Sequence, residues 1–157
     1  MLTVEEFSAG DLNTMKPISL LRPIAQHEQE VLVAGSDEKP IAVLLQEANL
    51  YSSFEAASTS QWTGLILPNL KIELDETSAF DARYEYAPLG AVVRKGSELV
   101  MCTKSENFRG TANTPLITGL SSIGDSQVGF RRWQLVLGDG DRKRVMRSFD
   151  VTKAVQR

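Results

Sequence analysis

The sequence predicts an all-β fold, mainly an antiparallel sandwich or barrel of seven to eight strands, with a short N-terminal helix. Two observations support this class. Short apolar or alternating segments recur along the chain. Clusters of Gly, Pro, Asn, Asp and Ser separate them about every 8–12 residues, which is typical of sandwiches and barrels. These segments therefore predict sheet rather than helix bundle.

The length predicts a single domain, residues 1–157. Residues 1–29 are expected to form an extended or helical lead-in, residues 30–151 the β core, and residues 152–157 a tail. A chain of this length buries roughly 70% of the surface that its unfolded form exposes, which is enough for a stable core without disulfides or a structural metal. The single cysteine, Cys102, lies among apolar residues and is expected to be a small buried side chain rather than a reactive thiol.

The N-terminal segment favours a short helix from about residue 4 to residue 9. Thr3 and Glu6 have the spacing of a capping box, in which each side chain binds the backbone N–H of the other. Gly10 follows at the position where a glycine often ends a helix.

Strands are expected next in the first half of the chain. Glu30–Ala34 and Ile41–Leu45 flank a turn-rich segment and predict a hairpin. Leu70–Asp75 alternates apolar and charged residues, which indicates a strand with one wet face. Thr63–Leu67 precedes it as a second apolar run, and Pro68-Asn69 between them predicts a turn or a bulged edge.

Three segments lack a clear strand pattern. Residues 46–60 predict a short helix or a loop, and Glu76–Ala87 predicts a loop with a short strand at Tyr84–Tyr86. Residues 105–129 are rich in Gly, Ser, Thr and Asn and predict either an ordered loop or an edge strand at Leu116–Thr118. Long loops are where ligand contacts often lie.

The central hairpin is the clearest element. Leu89–Val93 and Leu99–Thr103 flank the polar turn Arg94–Glu98, in which Gly96 can adopt positive φ. Both strands are apolar on both faces, which predicts that they are central and covered twice. Val92 and Val100 are expected to face one layer, and Val93, Leu99 and Met101 the other.

The last hairpin comprises Phe130–Leu137 and Lys143–Val151. Its odd positions are mostly apolar, so the register must place the two odd sets on one face. A three-residue loop, Gly138-Asp139-Gly140, with Gly140 at positive φ, satisfies this condition.

That register places Arg131 opposite Arg147 on the face that carries Trp133. Like charges directly opposite one another are destabilising, so the repulsion between the two arginines must be relieved. Both guanidinium groups can reach solvent, a carboxylate from Asp81 or Glu85 can bridge them, or an external anion can bind between them. In the third case Arg131, Arg147 and Trp133 form a ligand site.

The net charge of −3 is unevenly distributed. Residues 1–60 carry three basic and nine acidic groups, whereas residues 131–157 carry eight basic and three acidic groups. Arg132, Arg142 and Arg144 fall on the wet face of the last hairpin. A nucleic-acid site there is disfavoured but not excluded, because Trp133 points to the opposite face.

Other chemistry is sparse. His27 and Cys102 are single residues of their type, so a zinc site is not expected, and no metal or cofactor motif is present. The acidic residues of the 75–85 loop are candidates for acid–base catalysis or for binding a hard cation. They are Asp75, Glu76, Asp81 and Glu85.

The N-terminus lacks the features of a signal peptide and no segment approaches the length of a transmembrane helix, so a cytoplasmic location without membrane contact is expected. The leading hypothesis is a non-catalytic soluble β-domain that binds a small anionic ligand or a protein partner, with no cofactor. The alternatives are a nucleic-acid-binding module that uses the C-terminal basic hairpin, and a small hydrolase or isomerase that uses carboxylates of the 75–85 loop.

Overall fold

The computed structural model describes residues 7–11, 15–24, 29–46, 50–56, 63–105, 111–117 and 127–152, which form strands, turns and two single-turn 3-10 helices. The strands are β1 (Ser8–Asp11), β2 (Ser19–Pro23), β3 (Val31–Gly35), β4 (Pro40–Leu44), β5 (Ser52–Glu55), β6 (Thr63–Leu67), β7 (Lys71–Leu74), β8 (Ala79–Asp81), β9 (Val92–Lys95), β10 (Glu98–Ser105), β11 (Thr111–Ile117), β12 (Gln127–Phe130), β13 (Arg132–Leu137) and β14 (Arg144–Asp150). The 3-10 helices span Glu76–Ser78 and Gly140–Arg142. The predicted all-β class is confirmed, although these residues form more strands than the seven to eight expected.

The strands form one large and one small sheet. In the large sheet the order is β1-β6-β2-β3-β4-β5-β10-β9-β12-β8, and β11 also pairs with β10. In the small sheet the order is β14-β13-β7. The pairing of β5 with β10 is parallel and the other pairings are antiparallel, as predicted for most of the fold.

The main core lies between the two sheets. It combines apolar side chains of the large sheet, such as Leu20, Leu32 and Met101, with Leu135 and Phe149 of the small sheet. The large sheet also curls, because β11 packs against β3. Burial of these side chains is the main favourable term for such a fold.

Several strands of the large sheet are also covered on their other face. Leu21, Val31, Val33 and Ala42 are fully buried in a second apolar cluster. Val93, Val100 and Cys102 form a third cluster on the outer face of β9 and β10. The predictions that the central hairpin is covered twice and that Cys102 is buried are confirmed.

Two adjacent corners, besides the turn at Pro68-Asn69, take the chain from one sheet to the other. Between β7 and β8 it passes through the 3-10 helix Glu76–Ser78, and between β12 and β13 it bends at Arg131. The corners are joined where the Arg132 N–H donates to Ser78 Oγ at 3.0 Å and Arg132 Nε donates to Asp75 Oδ2 at 2.9 Å. The two corners therefore connect the large sheet to the small one, as bends do where strands switch between packed sheets.

The N-terminal predictions are partly wrong. Residues 4–6 lie outside the described residues, and Ser8 and Ala9 belong to β1 instead of a helix. The expected lead-in of residues 1–29 also contains β2, which lies inside the large sheet between β6 and β3. Pro17 and Pro23 flank this strand, and Pro23 occupies its last position, where it does not interrupt the ladder.

The two strands of the first predicted hairpin are confirmed as β3 and β4. The alternating strand is confirmed as β7. The turn at Pro68-Asn69 transfers the chain from the large sheet to the small one, with Asn69 at φ 57°.

The central hairpin has a tighter turn than predicted. Lys95 pairs with Glu98, so Gly96 and Ser97 form a two-residue turn, with Gly96 at φ 55°. Val93 therefore lies opposite Val100 and Val92 opposite Met101. The predicted assignment of Val92 and Val100 to one face is wrong, because the register differs by one residue from the expected parity.

The register that the sequence predicted for the last hairpin is also wrong. Trp133 pairs with Phe149, and Leu135 pairs with Arg147, so Arg131 does not lie opposite Arg147. The connection is longer than three residues because it contains the 3-10 helix Gly140–Arg142, and a bulge follows in β14 next to the Leu135–Arg147 pair. The predicted positive φ of Gly140 is confirmed at 55°.

The irregular segments contain more strand than predicted. Ser52–Glu55 is β5 instead of helix or loop. Tyr84–Tyr86 is not a strand, and the short strand lies earlier, at Ala79–Asp81. An edge strand in residues 105–129 is confirmed but is longer than expected, as β11, and β12 begins before that segment ends.

Three buried hydroxyl groups mark the junction of β5, β10 and β11. Ser53 Oγ lies 2.9 Å from Thr103 Oγ1, which lies 2.5 Å from Thr114 Oγ1. Ser53 Oγ also donates to the Lys104 carbonyl at 3.0 Å. Buried polar groups of this kind need such partners to avoid a desolvation cost.

Candidate functional site

The predicted site residue Arg131 lies at the corner between β12 and β13. Its Nη2 donates to Glu85 Oε2 at 2.6 Å, so Glu85, one of the two predicted acidic partners, does pair with it. Its guanidinium group lies over the ring of Phe80, 4.1 Å from the centroid. A cation at this distance from an aromatic face is attracted by the ring quadrupole.

Phe80 in turn lies against a glycine. Gly129 is its cross-strand partner, and a Cβ at position 129 would be 2.2 Å from the Phe80 ring. Only glycine lets the ring lie this close to the backbone. The stack of Gly129, Phe80, Arg131 and Glu85 therefore fixes this end of the large sheet.

Arg147 occupies a different place. Its Nη1 lies 3.3 Å from Glu30 Oε1, and its Nη2 donates to the Leu45 carbonyl at 2.9 Å. Arg22 lies 3.8 Å from the other oxygen of Glu30 and donates to the Met146 carbonyl at 3.1 Å. These contacts connect β14 to the large sheet, which gives Arg147 a structural role.

Trp133, the third predicted ligand contact, lies in the core with 2% of its surface exposed. Its ring stacks on Phe149 at a centroid distance of 4.0 Å, and its Nε1 donates to the Gly90 carbonyl at 2.8 Å. The structure therefore does not bring Arg131, Arg147 and Trp133 together around one space.

Each carboxylate of the 75–85 segment that has a described ion pair is paired with a different arginine. Hydrogen bonds from Thr77, then from Arg132, lower the pKa of Asp75 to about 2. Hydrogen bonds from the side chain and backbone of Arg83 lower the pKa of Asp81. Asp81, the other predicted partner of Arg131, thus pairs with Arg83, at 2.9 Å.

The ion pairs of these carboxylates make them poorly suited to acid–base catalysis. A general acid needs a pKa close to the working pH, whereas Asp75 is held far below it. The described part of the chain has no group of three or more His, Cys, Asp or Glu side chains arranged to hold a metal ion. His27 lies outside the described residues.

Sequence reasoning missed a surface that we call the tyrosine loop, residues 82–88. Ala82 and Ala87 pack against the third apolar cluster, so the loop covers the outer face of β9 and β10. Between them, Tyr84 and Tyr86 are exposed over 82% and 68% of their surface. Two aromatic residues between charged neighbours, ending at Pro88, were the available signal, but the same pattern also fits a short strand.

Hydrogen bonds hold the start of the tyrosine loop in place. The Asp81 carbonyl accepts from the N–H groups of Tyr84 and Glu85, at 3.2 and 3.0 Å. Asp81 Oδ1 accepts from the Arg83 N–H at 3.0 Å. The Glu85–Arg131 ion pair adds a link to the corner between β12 and β13.

A concavity of about 310 Å³ adjoins the loop. It is lined by Ala79, Phe80, Asp81, Arg83, Gln127 and Val128. Val128 is 36% exposed, which extends the apolar character of the surface. A second concavity, of about 450 Å³, lies on the small sheet, where Ser148 and Asp150 are exposed and Gln134 is half-buried.

The fold and this surface define an all-β protein of two packed sheets with an exposed, anchored aromatic loop. Among the described residues there is no helix of the length and apolarity needed to cross a membrane.

The family model described as "Uncharacterised protein y4lG" matches residues 9–157. A relative with the name "Uncharacterized protein y4lG", from Sinorhizobium fredii (strain NBRC 101917 / NGR234), is 39% identical over 147 residues, which cover 93% of this chain and 91% of the relative. The chain therefore belongs to the y4lG family. No solved structure matches it.

Proposed function

We propose that this protein is a non-catalytic β-domain that binds a protein partner through the tyrosine loop. The observation that carries the proposal is the exposure of Tyr84 and Tyr86 on a loop held by backbone hydrogen bonds. Tyr and Arg side chains are enriched among the residues that dominate binding energy at protein interfaces. A loop that is already ordered loses little conformational freedom on binding, which favours affinity.

A small anionic ligand, the other form of the leading hypothesis, has less support. Arg131 and Arg147 each contact a carboxylate of the protein itself, Glu85 and Glu30 respectively. An anion would have to displace these carboxylates. It would also find the two arginines in separate places.

The two alternative functions also have less support. The enzyme hypothesis needs a carboxylate with a pKa near the working pH, whereas the pKa of Asp75 and that of Asp81 are both lowered. The nucleic-acid hypothesis needs cations available for phosphate, whereas Arg132 is engaged by Asp75 and Thr77.

The test is site-specific photo-crosslinking in cells of the source organism. A photoreactive phenylalanine analogue replaces Tyr84 in one variant and the exposed Asp141, in the connection between β13 and β14, in the control. We expect discrete protein adducts from position 84 and none of the same mass from position 141. Absence of adducts at position 84, or the same adducts from both positions, would overturn the proposal.

The crosslinked partner also discriminates between the hypotheses. Adducts at position 84 that disappear when Tyr86 is changed to Ser support the tyrosine loop as the contact. Adducts that contain nucleic acid, with binding that weakens steeply as salt rises, would instead support the nucleic-acid alternative.

A further inference from the structure

We propose further that the partner is a second copy of this chain, bound so that the two tyrosine loops face each other across a two-fold axis. This inference rests on the proposed function and names its partner. In such a contact the same patch is used by both copies, and each residue meets its counterpart by symmetry. The patch must therefore be complementary to itself.

The charges around the loop meet this condition. Asp81, Arg83, Glu85 and Arg131 give two acidic and two basic groups, so the patch is neutral although the chain carries −3. A partner with a strong positive or negative surface would gain nothing from a neutral patch. Two copies of the same patch approach each other without net repulsion.

The order of residues along the loop adds a geometric argument. Arg83 and Glu85 flank Tyr84 on either side, and their side chains are 54% and 55% exposed. When two such triplets meet in antiparallel fashion, Tyr84 faces Tyr84 at the axis. Arg83 of each copy, while paired with Asp81 of its own chain, then faces Glu85 of the other, so opposite charges meet twice in addition to the ion pairs within each chain.

The adjoining concavity supplies a place for a further side chain. Its volume of about 310 Å³ lies beside Arg83, at the foot of the loop. In the two-fold arrangement the exposed Tyr86 of each copy enters the concavity of the other. Aromatic side chains that fill a recess on the partner are typical anchors of interfaces.

The experiment is sedimentation of the purified full chain over a range of concentrations. We expect a monomer–dimer equilibrium in the wild type, and a dissociation constant at least ten times larger for Tyr84→Ser. Val145→Ser removes an exposed apolar side chain from the small sheet and is the matched control. It should leave the equilibrium unchanged.

Charge reversal tests the orientation of the contact. Arg83→Glu and Glu85→Arg should each weaken the dimer, because like charges then meet across the axis. A mixture of the two variants should recover it, because one chain then carries two glutamates at positions 83 and 85 and the other carries two arginines. Any loss of contacts within each chain is the same in the mixture as in the separate variants, so recovery reports on the interface.

The outcomes separate this inference from the proposed function. A wild type that stays monomeric at all concentrations, or a mixture that fails to recover the dimer, overturns the inference. Discrete adducts of another protein from position 84 would then still support the proposed function. No adduct from position 84 in cells would overturn both.

Discussion

The central hairpin, β9 and β10, and the last hairpin, β13 and β14, differ in how their turns and their packing determine the register of the two strands. The first turns in two residues and is covered on both faces. The second has a long connection, a bulge and one face that carries charged and polar side chains. Because of the bulge, the register of the last hairpin differs between its two ends and is not constant along the strands.

The difference concerns what an apolar pattern specifies. In the last hairpin, alternation indicated correctly that Trp133 and Phe149 share a face, but the bulge shifts the parity, so that the odd residue Val145 pairs with Val136 and is 48% exposed. Alternation did not give the offset between the strands, because a change of two residues in the loop preserves the parity. In the central hairpin both faces are apolar, so not even the parity could be predicted.

The largest expected effect concerns burial in the central hairpin. Val100→Asp should lower the free energy of unfolding by several kcal/mol, because an unpaired charge would enter the third apolar cluster. The matched variant in the last hairpin is Val145→Asp, at a position 48% exposed, and it should change stability by less than about 0.5 kcal/mol. Denaturant unfolding measures both values. Similar losses in the two variants would contradict the difference between the hairpins.

A smaller effect is expected at the turns. Gly96 and Gly140 have the same φ of 55°, and no atom lies within 4 Å of a Cβ at either position. Replacement by Val should cost about 1–2 kcal/mol at each from backbone strain alone. Gly96→Val should cost more, because a two-residue turn sets the register of its strands while the longer connection can adjust. Thermal unfolding compares them, and an equal or reversed order would show that the long connection is no more adaptable.

The smallest effect is a pH dependence at the corner next to β13. The pKa of Asp75 falls from its usual 3.8 to about 2 in the folded protein, so its carboxylate stabilises the fold above pH 3.8. This stabilisation is lost as the pH falls toward 2, where the folded form also takes up the proton. The difference in melting temperature between wild type and Asp75→Asn should therefore be constant above about pH 4 and shrink toward pH 2. A difference that does not change with pH would show that the ionised carboxylate of Asp75, with its hydrogen bonds from Thr77 and Arg132, is not its cause.

The sequence was informative where neighbours along the chain decide the structure. The all-β class, the strands β3, β4 and β7, and the burial of Val93 and Val100 all follow from local patterns. The position of β2 inside the large sheet does not, because its partner β6 lies more than 40 residues further along the chain. Two prolines around a short strand gave no signal of a central place.

In the candidate site too, contacts between residues that are distant along the chain could mostly not be predicted. Asp81 or Glu85 was predicted to bridge Arg131 and Arg147, and the structure pairs Glu85 with Arg131. Glu30 as the partner of Arg147 could not be predicted, since the contact depends on how the two sheets pack. The exposure of Tyr84 and Tyr86 depends on Ala82 and Ala87 facing inward, which becomes evident only with the third apolar cluster in place.

The hydroxyl groups at the junction of β5, β10 and β11 form a chain with one allowed direction. Ser53 uses its only hydrogen for the Lys104 carbonyl, so Thr103 must donate to Ser53, and Thr114 must donate to Thr103. The three positions are consequently not equivalent. Removal of the hydroxyl at Thr103 deprives one neighbour of a donor and the other of an acceptor, whereas removal at Thr114 leaves only Thr103 without its donor. The direction is set at Ser53, whose hydroxyl contacts both Thr103 and the Lys104 carbonyl of β10, beside the short parallel pairing of β5 with β10.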